Sequence, residues 1–293
     1  DRHRAALALS LRRSPPRVTI ALGLWFAFGV GVADYHGGFI AKRATALATV
    51  ATALVAGGAV MAALLVFVVD STVSGGDLLL GACSGSFIGF ALASLYHGMA
   101  ASSAAVVAPI AATLASLVPF VWGLATGGSL PALGVVGAMI AFAGLALSTV
   151  SPELSDRVRF GVVWGLISGL CFGASLTFLG ETGESSGLWP ALVQRCTAFI
   201  ALAVAGTAQR QPVFVPAQLR SRAAFSGALG ASAIAAFTVG AQRGSLAEIA
   251  AITALAPAIT AVMSAVFDDH VMRWWQVLGA IVCAAGVAVI GVA

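Results

Sequence analysis

The sequence predicts an all-α polytopic membrane protein with ten transmembrane helices in two inverted five-helix repeats. Three observations lead to this prediction: a shortage of charge, ten apolar runs of about spanning length, and similarity between the two halves. Of the 293 residues, 60% are hydrophobic and 9% are charged, whereas soluble domains carry roughly 25% charged residues. So few charges cannot cover a soluble surface, and disordered chains have low hydrophobicity. The composition therefore excludes a soluble enzyme and a disordered chain.

Ten apolar runs are separated by short, more polar links. A helix needs about 20 predominantly apolar residues to cross the hydrocarbon core of a bilayer. No link is long enough to form a soluble domain. The predicted spans, in chain order, are Val18–Ile40, Ala46–Val69, Leu78–Tyr96, Ala101–Leu124, Leu133–Val150, Phe160–Leu179, Pro190–Thr207, Ala223–Gln242, Ile249–Phe267 and Trp274–Val292.

The second half of the sequence repeats the first in order and in approximate spacing. The stretch Gly137–Ala146 in span five matches Gly279–Ala288 in span ten. Spans four and nine each contain a proline, Pro109 and Pro257, and we expect both helices to bend there near the middle and widen a cavity. An odd number of spans per repeat inserts the second repeat upside down, as in many secondary transporters. Chance similarity between Gly/Ala-rich helices is the alternative explanation.

The repeat predicts a basic tail at 1–17, a first repeat at 18–150, a loop at 151–159 and a second repeat at 160–293. The basic flank of the first span favours cytoplasmic N- and C-termini in the cell (inner) membrane. The count of basic residues over the whole chain favours the opposite orientation, because cytoplasmic termini place six basic residues inside and eight outside. The eight are Lys42, Arg43, Arg157, Arg159, Arg210, Arg220, Arg222 and Arg273.

Small residues on spans three and eight have the spacing of helix-packing ridges. Span three carries Gly81, Gly85 and Gly89, and span eight carries Gly227 and Ala231 at corresponding positions. Small residues four apart let helix backbones approach closely inside a bilayer. The ridges can serve contacts within one chain or between two chains.

Several stretches resemble the EamA-like members of the drug/metabolite transporter superfamily. They are Gly244–Ala247, Ala254–Val262 with its proline, and Gln276–Ala280 followed by Gly286. The Gly-Glu turn usual in such proteins reads Asp269-His270 here. The resemblance implies a ten-helix carrier, usually an exporter of amino acids, metabolites or drugs. It does not identify a substrate.

Span one contains the richest group of polar side chains inside an apolar run, Asp34-Tyr35-His36. Ionisable residues within a bilayer are costly and are candidates for function. A helix break at Gly37-Gly38 would bring Asp34 and His36 to one cavity, where either could carry a coupling proton. The alternative is that the span ends near Ala33, which would leave these residues at the interface.

Arg195, in span seven, either holds a substrate carboxylate or phosphate or extends its long side chain to the interface. Other candidate residues lie at span ends or are aromatic residues within spans. They are His97, Glu248, Trp25 and Trp164.

The function predicted from these features is a secondary transporter, passive or proton-coupled. Its cavity is expected between spans one, three, four, six, eight and nine. The expected partners are the lipid bilayer, a small-molecule substrate and, if transport is coupled, protons. The sequence has no phosphate-binding loop, zinc-ligand spacing or nucleophile elbow, so no enzyme activity, metal, cofactor or nucleic-acid partner is predicted. The alternatives are a lipid or amphiphile flippase on the same scaffold and a membrane sensor or assembly factor.

Overall fold

The computed structural model describes residues 16–66, 71–102, 104–127, 130–148, 156–267 and 274–292. Over these residues the chain is helical and contains no strand. The α-helices are α1 Pro16–Ala41, α2 Ala46–Leu65, α3 Gly75–Ala101, α4 Ala104–Ala125, α5 Ala132–Ser148, α6 Asp156–Gly180, α7 Trp189–Ala208, α8 Ala217–Arg243, α9 Leu246–Thr253, α10 Ala256–Phe267 and α11 Trp274–Val292. A short 3₁₀ turn, Glu184–Ser186, lies between α6 and α7.

Within the described ranges, six helices are long and apolar enough to cross a membrane. They are Val18–Ala41, Ala46–Leu65, Gly75–Met99, Arg159–Gly180, Trp189–Ala208 and Ala217–Arg243. Four shorter apolar stretches lie at predicted spans four, five, nine and ten: Ile110–Ala125, Ala132–Leu147, Leu246–Thr260 and Val277–Ile290. The chain is therefore a multi-pass helical membrane protein, and the count of ten spans stays a prediction.

Predicted span nine is two helices, α9 and α10, because the chain turns at Ala254-Leu255. Pro257 is the second residue of α10. Proline has no N–H, so the Thr253 carbonyl oxygen lacks the hydrogen bond that it would accept in a continuous helix. Proline also disfavours the helical backbone conformation at the residue before it. Two short-range bonds close the turn, from Ala254 N to Ala251 O at 3.3 Å and from Leu255 N to Ile252 O at 3.2 Å. The sequence predicted a bend here, whereas the structure has an interruption just before the proline.

Pro109 has different surroundings in the fold. It lies in the second turn of α4, which runs as one helix from Ala104 to Ala125. The two prolines therefore do not occupy equivalent places, since one follows a helix break and the other lies inside a continuous helix. Their role in shaping a cavity stays a prediction.

The glycine ridges are used for contacts within the chain. On α3, Gly81 lies against the carbonyl oxygen of Pro190 on α7, so closely that a Cβ atom would overlap that oxygen. On α8, Gly227 lies in the same way against the carbonyl oxygen of Ala53 on α2. Both ridges therefore bring backbones together between the two halves of one molecule.

Helices α5 and α11, which carry the matching sequence stretches, pack against each other. A Cβ atom at Gly137 would lie 2.8 Å from the Gly286 carbonyl oxygen, and one at Gly144 would lie 2.7 Å from that of Gly279. The sequence match pairs Gly137 with Gly279 and Gly144 with Gly286, so equivalent residues exchange partners. Reciprocal contacts of this kind are what a two-fold axis produces, and they support the predicted inverted repeat.

Candidate functional site

A cavity of about 90 Å³ lies between the two halves of the chain. Its walls come from α1, α2, α3, α6, α7 and α8. From the sequence, the cavity walls were predicted to include spans four and nine and not spans two and seven. This prediction was wrong for the described cavity. The reason is the close approach of α2 to α8 and of α3 to α7 at the glycine ridges, which brings α2 and α7 to the centre. The polar residues of the lining are Asp34, Thr49, Tyr96, Arg195 and Ser226.

Asp34 lies on the cavity face of α1 and is partly buried. The helix continues beyond it to Ala41 without a break at Gly37-Gly38. The prediction of a broken helix was therefore wrong. The helix continues past Ala33, and the level at which the membrane interface crosses it stays a prediction. Helical residues two apart point to nearly opposite sides, so an unbroken α1 directs Asp34 and His36 away from each other.

His36 contacts α8 instead of the cavity. Its Nδ1 accepts a hydrogen bond of 2.8 Å from Arg222 Nε, and its ring contacts the Phe225 ring edge-on with centroids 5.2 Å apart. Tyr35 contacts Phe267 on α10, with ring centroids 6.0 Å apart. Of the predicted group, Asp34 therefore lines the cavity, Tyr35 contacts α10 and His36 contacts α8.

Arg195 is 8% exposed and reaches the cavity from α7. One of its terminal nitrogens donates to the Gly230 carbonyl oxygen on α8 at 3.1 Å. Its Nε is buried without a hydrogen-bond partner among the residues that the structure describes. A side chain enclosed in this way does not extend to the interface, so the predicted alternative of an interfacial arginine was wrong.

Asp34 and Arg195 carry opposite charges on the walls of one cavity, yet they do not form an ion pair within 4.0 Å. In the described ranges the one ion pair joins Arg243 and Glu184 at 3.0 Å. Unpaired charges inside a membrane protein are expensive, and such residues mark substrate and ion pathways. The two side chains therefore line one cavity without neutralising each other directly.

Tyr96, on α3, is a cavity residue that the sequence analysis did not select. Its side chain is 6% exposed, and its hydroxyl lies where a Cβ atom at Gly37 would be. Gly37 is three residues after Asp34 on the same face of α1, so Tyr96 closes the cavity wall beside the carboxylate. Its position at the end of predicted span three, beside His97-Gly98, gave no sign of this contact.

The Gly37→Ala substitution is expected to lower the stability of the protein by about 1–3 kcal/mol, because the buried Tyr96 ring cannot move away from the new methyl group. Removing the oxygen with Tyr96→Phe should recover part of this loss, since the nearest ring atom is then 3.2 Å from the Cβ position. Thermal unfolding in detergent measures both changes. The control is Gly38→Ala, whose Cβ would meet Met99 Cε at an ordinary 3.7 Å. Equal melting temperatures for the two single variants would contradict the contact.

The other candidate residues lie outside the cavity lining. His97 is exposed and packs edge-on against Trp164 with ring centroids 4.7 Å apart. Trp25 is 45% exposed and contacts Phe28. Glu248 lies in the first turn of α9, where its backbone N–H donates to Ser245 Oγ at 3.4 Å. These contacts are typical of helix packing, interfacial aromatic residues and helix capping.

The second half of the chain matches a known family. Residues 159–292 match the EamA-like transporter family. These residues form an EamA-like transporter domain. The resemblance predicted from the sequence is confirmed for this half, and the EamA-like domain starts where the second predicted repeat begins.

A solved structure described as "Crystal structure of protein" has the same fold. It has a TM-score of 0.73 and 15% sequence identity, and the match covers 95% of this chain and 98% of that one. No curated protein matches the sequence. The fold that contains the EamA-like domain therefore extends through the preceding half, which supplies Asp34 and Tyr96 to the cavity.

Polar contacts connect the helix links at the end of the bundle where α2 finishes and α3 begins. Ser186 Oγ donates to Asp77 Oδ2 at 2.5 Å and joins the 3₁₀ turn to the start of α3. Gln242, near the end of α8, donates to Thr182 Oγ1 and to the Gly187 carbonyl oxygen, both at 3.0 Å. The bond from Ser186 to Asp77 joins the two halves, whereas the bonds of Gln242 connect α8 to the link between α6 and α7 within the second half. Both contacts lie at the end of the bundle where α2 finishes and α3 begins.

Proposed function

We propose that the protein is a secondary transporter that binds a small zwitterionic metabolite, such as an amino acid, between Asp34 and Arg195. The observation that carries the proposal is an acidic and a basic side chain on the walls of one cavity, neither of which forms an ion pair within the described ranges. A substrate ammonium group would lie beside Asp34, and its carboxylate would accept hydrogen bonds from Arg195, whose Nε has no partner. Each charge then gains a partner only when the substrate is present.

The transport cycle proposed here is alternating access between inverted repeats at 18–150 and 160–293. The reciprocal glycine contacts of α5 and α11 support the repeat. The contact between Ser186 and Asp77, which joins the two repeats, would hold one end closed while the cavity near Asp34 faces the other. Export across the inner membrane with cytoplasmic termini is the direction that the family resemblance and the basic tail favour.

Flux into proteoliposomes tests the substrate class. We expect uptake of alanine but little uptake of ethylamine or propionate, because each analogue leaves one buried charge without a partner. Equal uptake of ethylamine and alanine would contradict a role for Arg195 in binding a carboxylate. The runner-up functions have distinct outcomes: movement of a polyprenyl-phosphate lipid without alanine flux would favour a flippase, and no flux of any solute would favour a sensor or assembly factor.

Asp34 is also the carboxylate proposed to couple transport to protons. Asp34→Asn is expected to keep the fold and to lower alanine flux, because the substrate ammonium group loses its charged partner. The flux that remains should be the same with and without a pH gradient, because an amide cannot take up and release the proton. Flux with and without the gradient measures this. The control is Glu181→Gln, which neutralises an exposed acid in a link. If Asp34→Asn still responds to the gradient as the wild type does, passive facilitation is the better description.

A further inference from the structure

Two arginines are held against one phenylalanine where α1 and α8 meet at a helix end. Arg222 Cζ lies 3.4 Å from the centroid of the Phe39 ring, and Arg43 Cζ lies 3.6 Å from the same centroid. Cation–π contacts of this kind hold both guanidinium groups against the ring. The two like charges nevertheless repel each other, so the arrangement favours a bound anion.

No carboxylate neutralises this arginine pair within the described ranges. Neither Arg43 nor Arg222 forms an ion pair there, and residues 35–46 and 205–225 contain no Asp or Glu. Arg43 uses one nitrogen to donate to the Phe39 carbonyl oxygen at 3.0 Å, and Arg222 uses Nε to donate to His36. The remaining guanidinium N–H groups are available to phosphate oxygens, which arginine binds through two parallel hydrogen bonds.

The location of the arginine pair indicates where such a phosphate comes from. Arg43 follows the end of α1, and Arg222 lies in the second turn of α8, so both occupy the end of a membrane helix. The side chains of Phe214 and Phe225, on the same stretch of chain, are 48% and 51% exposed. Exposed apolar rings beside basic residues suit the boundary between acyl chains and anionic headgroups, because the rings can pack on the chains while nearby arginines are attracted to the phosphates.

We propose that Arg43 and Arg222 bind the phosphate of an anionic phospholipid at this end of α1 and α8. The acyl chains would pack beside the exposed phenylalanines, while the phosphate accepts hydrogen bonds from both guanidinium groups at the edge of the Phe39 ring. Arg222 also holds His36, two residues from Asp34, and Ser226 Oγ donates to the Ala33 carbonyl oxygen at 2.8 Å. A bound headgroup therefore stabilises the contact between α1 and α8 that forms one wall of the cavity.

Native mass spectrometry of the full chain, titrated with phosphatidylglycerol or phosphatidylcholine, tests the proposal. The wild type should retain phosphatidylglycerol preferentially. Arg43→Gln with Arg222→Gln should weaken that binding by on the order of tenfold, because each basic residue near the surface contributes to anionic-lipid affinity. The matched control, Arg159→Gln with Arg210→Gln, removes the same charge from two exposed positions at the same end and should keep the preference.

Three results would overturn the proposal: equal retention of the two lipids by the wild type, an equal loss in the control pair, and displacement of phosphatidylglycerol by equimolar inorganic phosphate. The last would assign the arginines to a soluble anion. Should the double variant fail to fold, Arg43→Gln alone, at an exposed position, must still lower phosphatidylglycerol binding severalfold. The assay measures no flux, so its failure leaves the proposed transport function unaffected.

Discussion

Replacing Arg195 with glutamine is expected to reduce alanine flux in proteoliposomes about a hundredfold or more. Removing one partner of a buried, hydrogen-bonded charge pair costs roughly 2–5 kcal/mol, which is a factor of about 30 to several thousand in binding. Glutamine keeps a donor and much of the side-chain length, but it lacks the charge and the planar group with several donors. The loss of alanine flux should therefore result from weaker binding of the substrate carboxylate.

Stability separates this role from a structural one. Arg195 has a buried Nε without a partner and makes one hydrogen bond, to the Gly230 carbonyl oxygen. Removing an unpaired buried charge is not expected to destabilise the fold, so the melting temperature of Arg195→Gln should equal or exceed that of the wild type. Arg195→Lys keeps the charge and should retain part of the flux, and Arg210→Gln, at an exposed position, should retain all of it. Wild-type alanine flux in Arg195→Gln would contradict the proposed site.

The Gly227→Ala substitution is expected to destabilise the protein by about 3 kcal/mol or more, the upper end of what one added methyl group costs in a packed interior. The new Cβ atom would overlap the carbonyl oxygen of Ala53, and this neighbour is backbone in the middle of α2, so it cannot rotate away. The two helices must separate along their whole contact to admit the methyl group. Thermal unfolding in detergent and the yield of monodisperse protein measure the effect.

Gly230→Ala is the matched control on the same helix. Its Cβ would lie 3.6 Å from that of Ala33, an ordinary contact. Alanine is also the better helix former by about 1 kcal/mol, so this variant should be as stable as the wild type or more stable. Equal destabilisation by the two substitutions would show that the α2–α8 contact does not depend on the absence of a side chain at Gly227.

The sequence by itself determined the class of the protein and the places of its helices. Whether a segment enters a bilayer depends on the hydrophobicity of its own consecutive residues. Runs such as Ala46–Val69 could therefore be recognised without knowledge of the fold. The family resemblance was also local, because Gly244–Ala247 and Ala254–Val262 are short motifs of the matched EamA-like domain. Arg195 and Asp34 could be selected because charge inside an apolar run is costly wherever the run packs.

Only the tertiary structure decided which selected residues share a cavity. Asp34 and His36 are separated because α1 continues through Gly37-Gly38, and the sequence could not exclude a break at two adjacent glycines. Tyr96 joins the site through a contact with Gly37 on a helix distant in sequence. The composition of the cavity walls likewise depends on how closely helix backbones approach at Gly81 and Gly227. Such contacts depend on the shapes of two helix surfaces together, and a side chain's neighbours across a bundle cannot be read from the hydropathy of its own helix.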